Sequence, residues 1–322
     1  MTTAAPRMRQ RAPSAGATPS DAGVPRQRSG FDDLVRRARK LTDQPAFRAD
    51  PISVLTRAAH LGAAHLLGRN PSFRLTSSGR ERLRAPADLR YTTITAFLLR
   101  DWVEPELRAL DRLLSPRDVF LDVGANIGLY SLKAARLVGP TGRVLALEPG
   151  AEAYDHLVAN LAMNAFPWAA PMKVAASDAA GEAVLHHVPL GHDPQAFSLI
   201  ANARATDGEV VETVTLDSLI DRAGLTRVDL IKIDVEGAEP IVIAGARDML
   251  ARLRPAVIFE CNAHINAGGE TGAAGEAWTM LSSAGYCFFR LIGDAFTAID
   301  TPPVAFCNVI AVHADRRPPF AS

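Results

Sequence analysis

From residue 118 onward, acidic residues recur at the ends of short apolar runs: Asp122, Glu148, Asp178, Asp234 and Glu260. A carboxylate can hold a hydroxyl, take up a proton or balance a cation. The first lies in Asp118-Val-Phe-Leu-Asp-Val-Gly-Ala-Asn-Ile-Gly128, which leads into an amphipathic segment, Leu129 to Val138. The pattern predicts a buried strand, a tight turn and a helix. Gly124 and Gly128 allow close approach of the backbone, and the helix N-terminus is expected to offer unpaired N–H groups. Asn126 tolerates a positive φ better than most residues. Glu148 follows Gly128 by twenty residues, where an acid can accept from both ribose hydroxyls of an adenosine ligand. Asp178 is placed for an adenine amino group, or serves as a turn residue before Gly181. Gly124-Ala-Asn-Ile-Gly128 lacks the middle glycine of the dinucleotide fingerprint, so adenosine without a pyrophosphate is the expected ligand.

The fourth apolar run, Asp229–Val235, continues into Glu236-Gly237. Lys232, Asp234 and Glu236 alternate, which puts them on one face of a strand or its extension. A lysine inside a parallel strand is buried and requires a carboxylate partner. Asp234 and Glu236 can position a substrate, accept its proton or hold a metal, and no metal site is expected. His264, just past Glu260, titrates near neutrality and competes with Asp234 as the base. His186, His187 and His192 with Asp193 superficially resemble metal ligands. Neighbours in a strand face opposite ways, so these read as surface or substrate-rim residues.

The elements that must carry these residues alternate. Strands are predicted at Val119–Val123, Arg143–Leu147, Met172–Ala176, Asp229–Val235 and Ala256–Glu260, with helices between, which implies a parallel sheet covered on both faces. A helix is expected over Ala151–Ala162, and a short one capped by Asp217. Glu182–Val188 and Glu209–Thr215 read as an antiparallel pair joined by a loop. Tyr286–Ile292 and Ala305–Val312 are close enough to pair antiparallel. Before this domain, residues 1–30 read as a disordered basic tail, and 31–115 as a helical region. Within that region, Phe31–Lys40 and Ser53–Leu67 are predicted helices. Leu55, Ala58, Ala59 and Leu66 are candidates for one apolar face, and 69–86 for a loop. Ala87–Leu114 carries a helical apolar stripe broken near Pro105. The main domain is assigned to 116–315.

Composition narrows the class. Hydrophobic residues make up 48% of the 322, ample for a core. Net charge is zero, yet residues 1–40 hold nine Arg/Lys against three Asp, leaving 26 basic and 32 acidic residues beyond. An Arg-rich arm gives salt-dependent affinity for nucleic acid, but the acidic body shows no aromatic-basic platform, and no stable nucleic-acid partner is expected. Cys261, Cys287 and Cys307 form no Cys-x-x-Cys pair, so neither a zinc site nor a disulfide framework is indicated. No apolar run suits a signal core or a membrane span, and a cytoplasmic protein is expected. Oligomeric state is left open.

Taken together, Asp118–Gly128, Glu148-Pro149, Thr215-Leu216-Asp217 and Ile231-Lys-Ile-Asp-Val-Glu-Gly-Ala-Glu239 resemble the FkbM family of S-adenosylmethionine-dependent methyltransferases. The resemblance covers roughly Trp102 to Glu260, and the first 90 residues carry none. It implies a doubly wound class I methyltransferase fold, α/β and Rossmann-like, with a seven-stranded sheet whose last strand is antiparallel. It also implies S-adenosyl-L-methionine as cofactor. Asp122, Gly124, Asn126 and Gly128 would surround the methionine part, Glu148 the ribose, and Ser177 and Asp178 the adenine. Methylation of a hydroxyl on a small molecule, a sugar or a natural-product intermediate, is the expected activity, with Asp234, Glu236 and His264 as catalytic candidates. The alternatives are a nicotinamide-dependent oxidoreductase and a nucleic-acid-binding protein using the basic arm.

Overall fold

The computed structural model describes residues 42, 44–76, 79–86, 91–190, 193–199, 208–261, 273–303, 305 and 307–320. The basic tail, the helix expected over Phe31–Lys40, His192 and most of the loop bearing His264 lie outside the described residues. Chain contacts separate 1–44 from the unit Pro45–Ser322, to which the following elements belong.

The unit opens with α1 (Pro45–Ala49) and α2 (Pro51–Leu66). Asp50 caps α2, its carboxylate accepting from the Ser53 N–H at 3.0 Å. The buried stripe of α2 is Val54, Leu61 and Ala64, not the face expected from Leu55 and Leu66, which are exposed. Both sets have helical spacing, and only contact with α3 (Tyr91–Leu99) selects between them. The stretch expected as a loop contains the hairpin β1 (Ser72–Arg74) and β2 (Arg82–Arg84). Its paired Phe73 and Leu83 are buried, and the flanking arginines are exposed. Three-residue strands are too short to show their alternation. After α3 a 3₁₀ turn leads into α4 (Pro105–Arg108), and Leu107, Leu110, Leu113 and Leu114 are buried as their stripe predicts.

Strands and helices then alternate: β3 (Val119–Val123), α5 (Leu129–Val138), β4 (Arg143–Leu147), α6 (Ala151–Met163) and β5 (Ala169–Met172). A second sheet follows, made of β6 (Ala175–Ala176), β7 (Gly181–Leu190), β8 (Asp193–Ser198) and β9 (Gly208–Val214). The alternation resumes with α7 (Leu216–Arg222), β10 (Leu230–Ile233), α8 (Glu239–Ala244), α9 (Arg247–Leu253), β11 (Ala256–Cys261) and α10 (Ala273–Ser283). It closes with β12 (Tyr286–Ile292), β13 (Ala295–Ile299) and β14 (Cys307–His313).

The main sheet runs β13-β12-β14-β11-β10-β3-β4-β5. From β11 to β5 the strands are parallel, and β14 lies antiparallel between β11 and β12. The sheet therefore has eight strands rather than seven, because the turn-rich stretch before β14 folds back on β12 as the edge strand β13. The strand expected over Met172–Ala176 divides. Only Met172 of it falls in the edge strand β5, where Pro171 costs no central hydrogen bond, and Ala175–Ala176, as β6, join the other sheet. Thr215, not Asp217, caps α7 through Ser218 N–H at 3.1 Å. Asp217 instead accepts from Asp248 and Met249 at the start of α9.

Alternation sorts the central strands. Val119, Leu121, Val123, Ile231, Ile233, Val257 and Phe259 pack with apolar residues of α7 to α10 in one core. Phe120, Asp122 and Lys232 occupy the opposite face, and Lys232 stands beside Asp122 in register. Gly124 shows why a glycine follows β3. It has φ +81°, and a Cβ there would overlap the Asp234 backbone carbonyl. The close approach is to β10's exit rather than to a ligand. Gly124→Ala is expected to destabilise the fold by roughly 2 kcal/mol or more, lowering Tm by about 4 °C or more in a thermal melt.

Candidate active site

The turn after β3 is left-handed at three residues: Gly124 (φ +81°), Asn126 (φ +50°) and Gly128 (φ +97°). Its N–H groups are all engaged inside the protein. Gly124 and Ala125 donate to the Leu147 carbonyl at 3.0 and 2.9 Å, and Gly128 donates to Ala125 at 2.9 Å. Ile127 donates to the Asn126 side-chain oxygen at 2.8 Å. Asn126 donates to Glu148 Oε2 at 2.8 Å. The N–H groups of 124–128 are thus taken up by Leu147 and Glu148 at the end of β4 and by the turn's own atoms. These five positions leave no donor for a phosphate.

Glu148, just past β4, also accepts from Gly150 N–H through Oε1 at 2.9 Å. Burial pushes its carboxyl up to about 7, against the two backbone N–H bonds that favour its charge. Asp122 is buried and accepts from the Ser131 hydroxyl at 2.5 Å. Burial raises it to about 6, while Ser131 and Lys232 oppose the rise. Ser177 and Asp178 follow β6, a strand of the second sheet. The Ser177 carbonyl lies so close to Gly245 that a Cβ there would overlap it, which fixes this turn against the end of α8. Asp178 is exposed and accepts from the Ser177 hydroxyl at 3.3 Å.

Lys232 lies under this edge of the sheet, 1% exposed. Its ammonium donates to Asp234 Oδ2 at 3.1 Å and to Asn308 Oδ1 at 3.3 Å, with Glu104 at 4.0 Å and the Tyr130 ring at 5.2 Å. Burial opposes its charge, but Asp234, Glu104 and Glu260 override that and raise its pKa above the usual lysine range. Asp234 follows β10, its side chain one-third exposed at 33%. Burial works against its charge too, yet Lys232 and a bond with Glu260 hold it below the ordinary aspartate value. Glu260 is driven the other way, up to about 10, by burial first and then by Asp234 and Glu236. Burial and mutual repulsion thus favour one proton shared by the Asp234–Glu260 pair, with Glu260 the member pushed toward its protonated form.

Glu236 does not continue the strand, because β10 ends at Ile233. Glu236 and Gly237 turn with φ +52° and +96°. Even so, Asp234, Glu236 and Glu260 each bring an oxygen within 4.8 Å of the others. Of these three, Asp234 meets the Lys232 ammonium at 3.1 Å. Glu239 braces the turn by accepting from Val235 N–H (3.3 Å) and Gly237 N–H (3.2 Å), and burial lifts it to about 7. His264 lies outside the described residues. Residues missed by sequence reasoning complete the wall. Glu104 accepts from the Tyr130 hydroxyl at 2.6 Å and from the Asn308 amide at 2.8 Å, and Glu106 accepts from that amide at 3.2 Å. The signal available was Glu104-Pro105-Glu106 breaking an apolar stripe, but its partners lie as far as 204 residues away.

A five-stranded parallel core, an antiparallel strand inserted beside β11, a glycine turn after β3 and an acid after β4 define a class I methyltransferase architecture. The family description "Methyltransferase FkbM domain" matches residues 122–288, and the chain belongs to that family. The 31-O-demethyl-FK506 methyltransferase FkbM of Streptomyces tacrolimicus is 32% identical over 200 residues, covering 54% of this chain and 74% of that protein. The 2-O-methyltransferase NoeI of Sinorhizobium fredii is 31% identical, covering 44% and 63%. The AMB antimetabolite synthetase AmbE of Pseudomonas aeruginosa is 31% identical over 226 residues, which are 58% of this chain and only 10% of that protein. Among solved structures, methyltransferase FkbM from Methylobacillus flagellatus is 16% identical, covering 88% of this chain and 70% of that one with a TM-score of 0.42. Among the described residues, no helix is long and apolar enough to cross a membrane.

The raised carboxyls have a consequence for stability. Glu148 has a folded-state pKa of about 7 against an ordinary 4.5, so the folded state binds more protons between those values. Its contribution is fully present below about pH 4.5 and is lost as pH rises through about 7. Glu148→Gln is expected to shrink the fall in Tm between pH 5 and 7.5 by roughly 2 °C, measured in melts at both pH values.

Proposed function

We propose that the chain is an S-adenosylmethionine-dependent O-methyltransferase acting on a hydroxyl of a small molecule, such as a sugar or a natural-product intermediate, with residues 116–315 as the catalytic unit. The observation that carries this reading is the bond between Glu148 and the N–H of Asn126, in a chain of the FkbM family. It sets an acid that can receive ribose hydroxyls directly against the glycine turn. The donor set fits this cofactor better than a dinucleotide. No N–H of 124–128 is left for a pyrophosphate, and Asp122, Glu148 and Asp234 suit a cationic, hydroxyl-bearing ligand. The names of two relatives, specifying 31-O and 2-O positions, support oxygen as the acceptor atom.

When bound, S-adenosylmethionine supplies a methyl group on a positively charged sulfur, already activated for in-line displacement. The protein's part is then alignment and proton removal. In this reading Asp122, Gly124, Asn126 and Gly128 hold the methionine portion, Glu148 the ribose, and Ser177 and Asp178 the adenine. Asp234 takes the hydroxyl proton. It is held toward its charged form by Lys232 and is partly open to solvent, whereas burial and its acidic neighbours push Glu260 toward its protonated form. Glu236 orients the acceptor. His264 is the competing base.

Two measurements test this. Calorimetry is expected to show S-adenosylmethionine binding to the folded protein, weakened at least ~10-fold by Glu148→Ala. Absence of binding to the wild type ends the proposal. Once an acceptor is found by mass search for one added methyl, Asp234→Asn is expected to lower kcat by about 100-fold while cofactor affinity holds. Full turnover in both Asp234→Asn and His264→Ala eliminates both as the base.

A further inference from the structure

The Lys232 ammonium is shared among more carboxylates than it can serve. Asp234 lies at 3.1 Å and Glu104 at 4.0 Å. Asp122 and Glu106 act on it from β3 and from α4, and Glu260 from β11. Its position among them decides which carboxylate it supports. Asn308, the second residue of β14 and the partner of Glu260 in register, stands between the competitors. Its side-chain oxygen accepts from Lys232 at 3.3 Å. Its NH₂ donates to Glu104 at 2.8 Å and to Glu106 at 3.2 Å. An ammonium can only donate and an ionised carboxylate can only accept, so this amide has one workable orientation.

We propose that Asn308 is a positioning residue that holds Lys232 on Asp234 by occupying Glu104 and Glu106 with its own N–H groups. Glu104 is the competitor it restrains. Both Asn308 and Glu104 lie outside the residues 122–288 that match the family description, so the chain on either side of that core completes the site. The Tyr130 hydroxyl, donating to Glu104 at 2.6 Å, assists by tying the same carboxylate to α5. Without the Asn308 amide, Lys232 is free to swing toward Glu104 and Glu106, and Asp234 loses the partner that keeps it charged. The inference rests on Asp234 as the base only for its effect on turnover, since the placement of Lys232 can be read without any substrate.

Asp234 is surrounded by titrating neighbours: Asp122, Glu148, Glu239, Glu260 and Tyr130 all act electrostatically with it, and Glu236 acts on its partner Glu260. The test therefore follows Asp234 itself. Protein labelled with ¹³C at the aspartate carboxyl carbon is titrated by NMR, with Asp234→Asn identifying the signal. In Asn308→Ala, the Asp234 carboxyl is expected to titrate about one pH unit higher, a tenfold change in proton affinity. Glu104→Gln, which preserves shape, removes the competitor, and the double variant Asn308→Ala/Glu104→Gln is expected to return the midpoint toward the wild type. A purely structural role for Asn308 predicts no such recovery. An unmoved Asp234 midpoint in folded Asn308→Ala overturns the proposal. If Asn308→Ala does not fold, Asn308→Ser, whose short hydroxyl cannot bridge Lys232 to both glutamates, takes its place and is judged on the same midpoint. With an acceptor in hand, Asn308→Ala or Asn308→Ser is expected to lower kcat, with the acid limb of its pH profile shifted upward and the KM for S-adenosylmethionine unchanged, and the double variant to recover both. If the wild type transfers no methyl while the midpoint moves as stated, the functional reading fails and the positioning inference stands.

Discussion

Burial of one ammonium in the middle of a parallel sheet is the constraint on which this edge of the molecule depends. Lys232 sits in β10 between β3 and β11, with strands on both sides and helices above and below. Leaving such a charge unpaired in a desolvated strand is untenable. Asp234 meets it two residues on, Asp122 from the neighbouring strand, and Glu104 and Asn308 from segments remote in sequence. Each counter-charge is also a group capable of binding or proton transfer. The electrostatic requirement of the fold and the chemistry of the site are therefore met by the same atoms. The surplus of negative charge pushes Glu260 toward its protonated form, while Lys232 favours the charged form of Asp234, whose side chain is partly open to solvent.

The glycine turn has a similar double character. Gly124 permits the turn to cross the exit of β10, and its N–H binds β4 rather than a ligand. Glu148 then ties β4 to the turn through Asn126. Three parallel strands are tied together at their C-terminal ends, with Glu148 bonded to both Asn126 and Gly150. A rigid turn without spare N–H groups suits a ligand recognised by carboxylates rather than by a phosphate nest.

Where a signal was local, it was legible. Val119–Val123 and Arg143–Leu147 read as strands because each is an apolar run bounded by turn residues, and both formed with those bounds. Asn126 was read as a residue suited to positive φ and has it. The demand of Lys232 for a carboxylate followed from its place in a buried run. The failures share a different cause. On α2 two helical stripes were available, and the neighbouring helix selected the one not expected. The strand expected through Met172–Ala176 is broken because Met172 pairs in the main sheet and Ala175–Ala176 pair in the other. Asp217 was read as a cap for its own helix but serves the start of α9, thirty-one residues on.

The sequence by itself determined most strands and helices of the parallel core, which acids stand at strand ends, and that a lysine is buried. Those properties follow from periodicity, turn chemistry and the cost of burying charge, all of which act over a few residues. Only the tertiary structure decided that Glu104, Tyr130 and Asn308 meet Lys232, that Glu236 reaches Glu260 through a left-handed turn, and that the turn's N–H groups are consumed. Strand order brings residues 104, 232 and 308 together, and it depends on which faces bury against which. No local pattern encodes that choice.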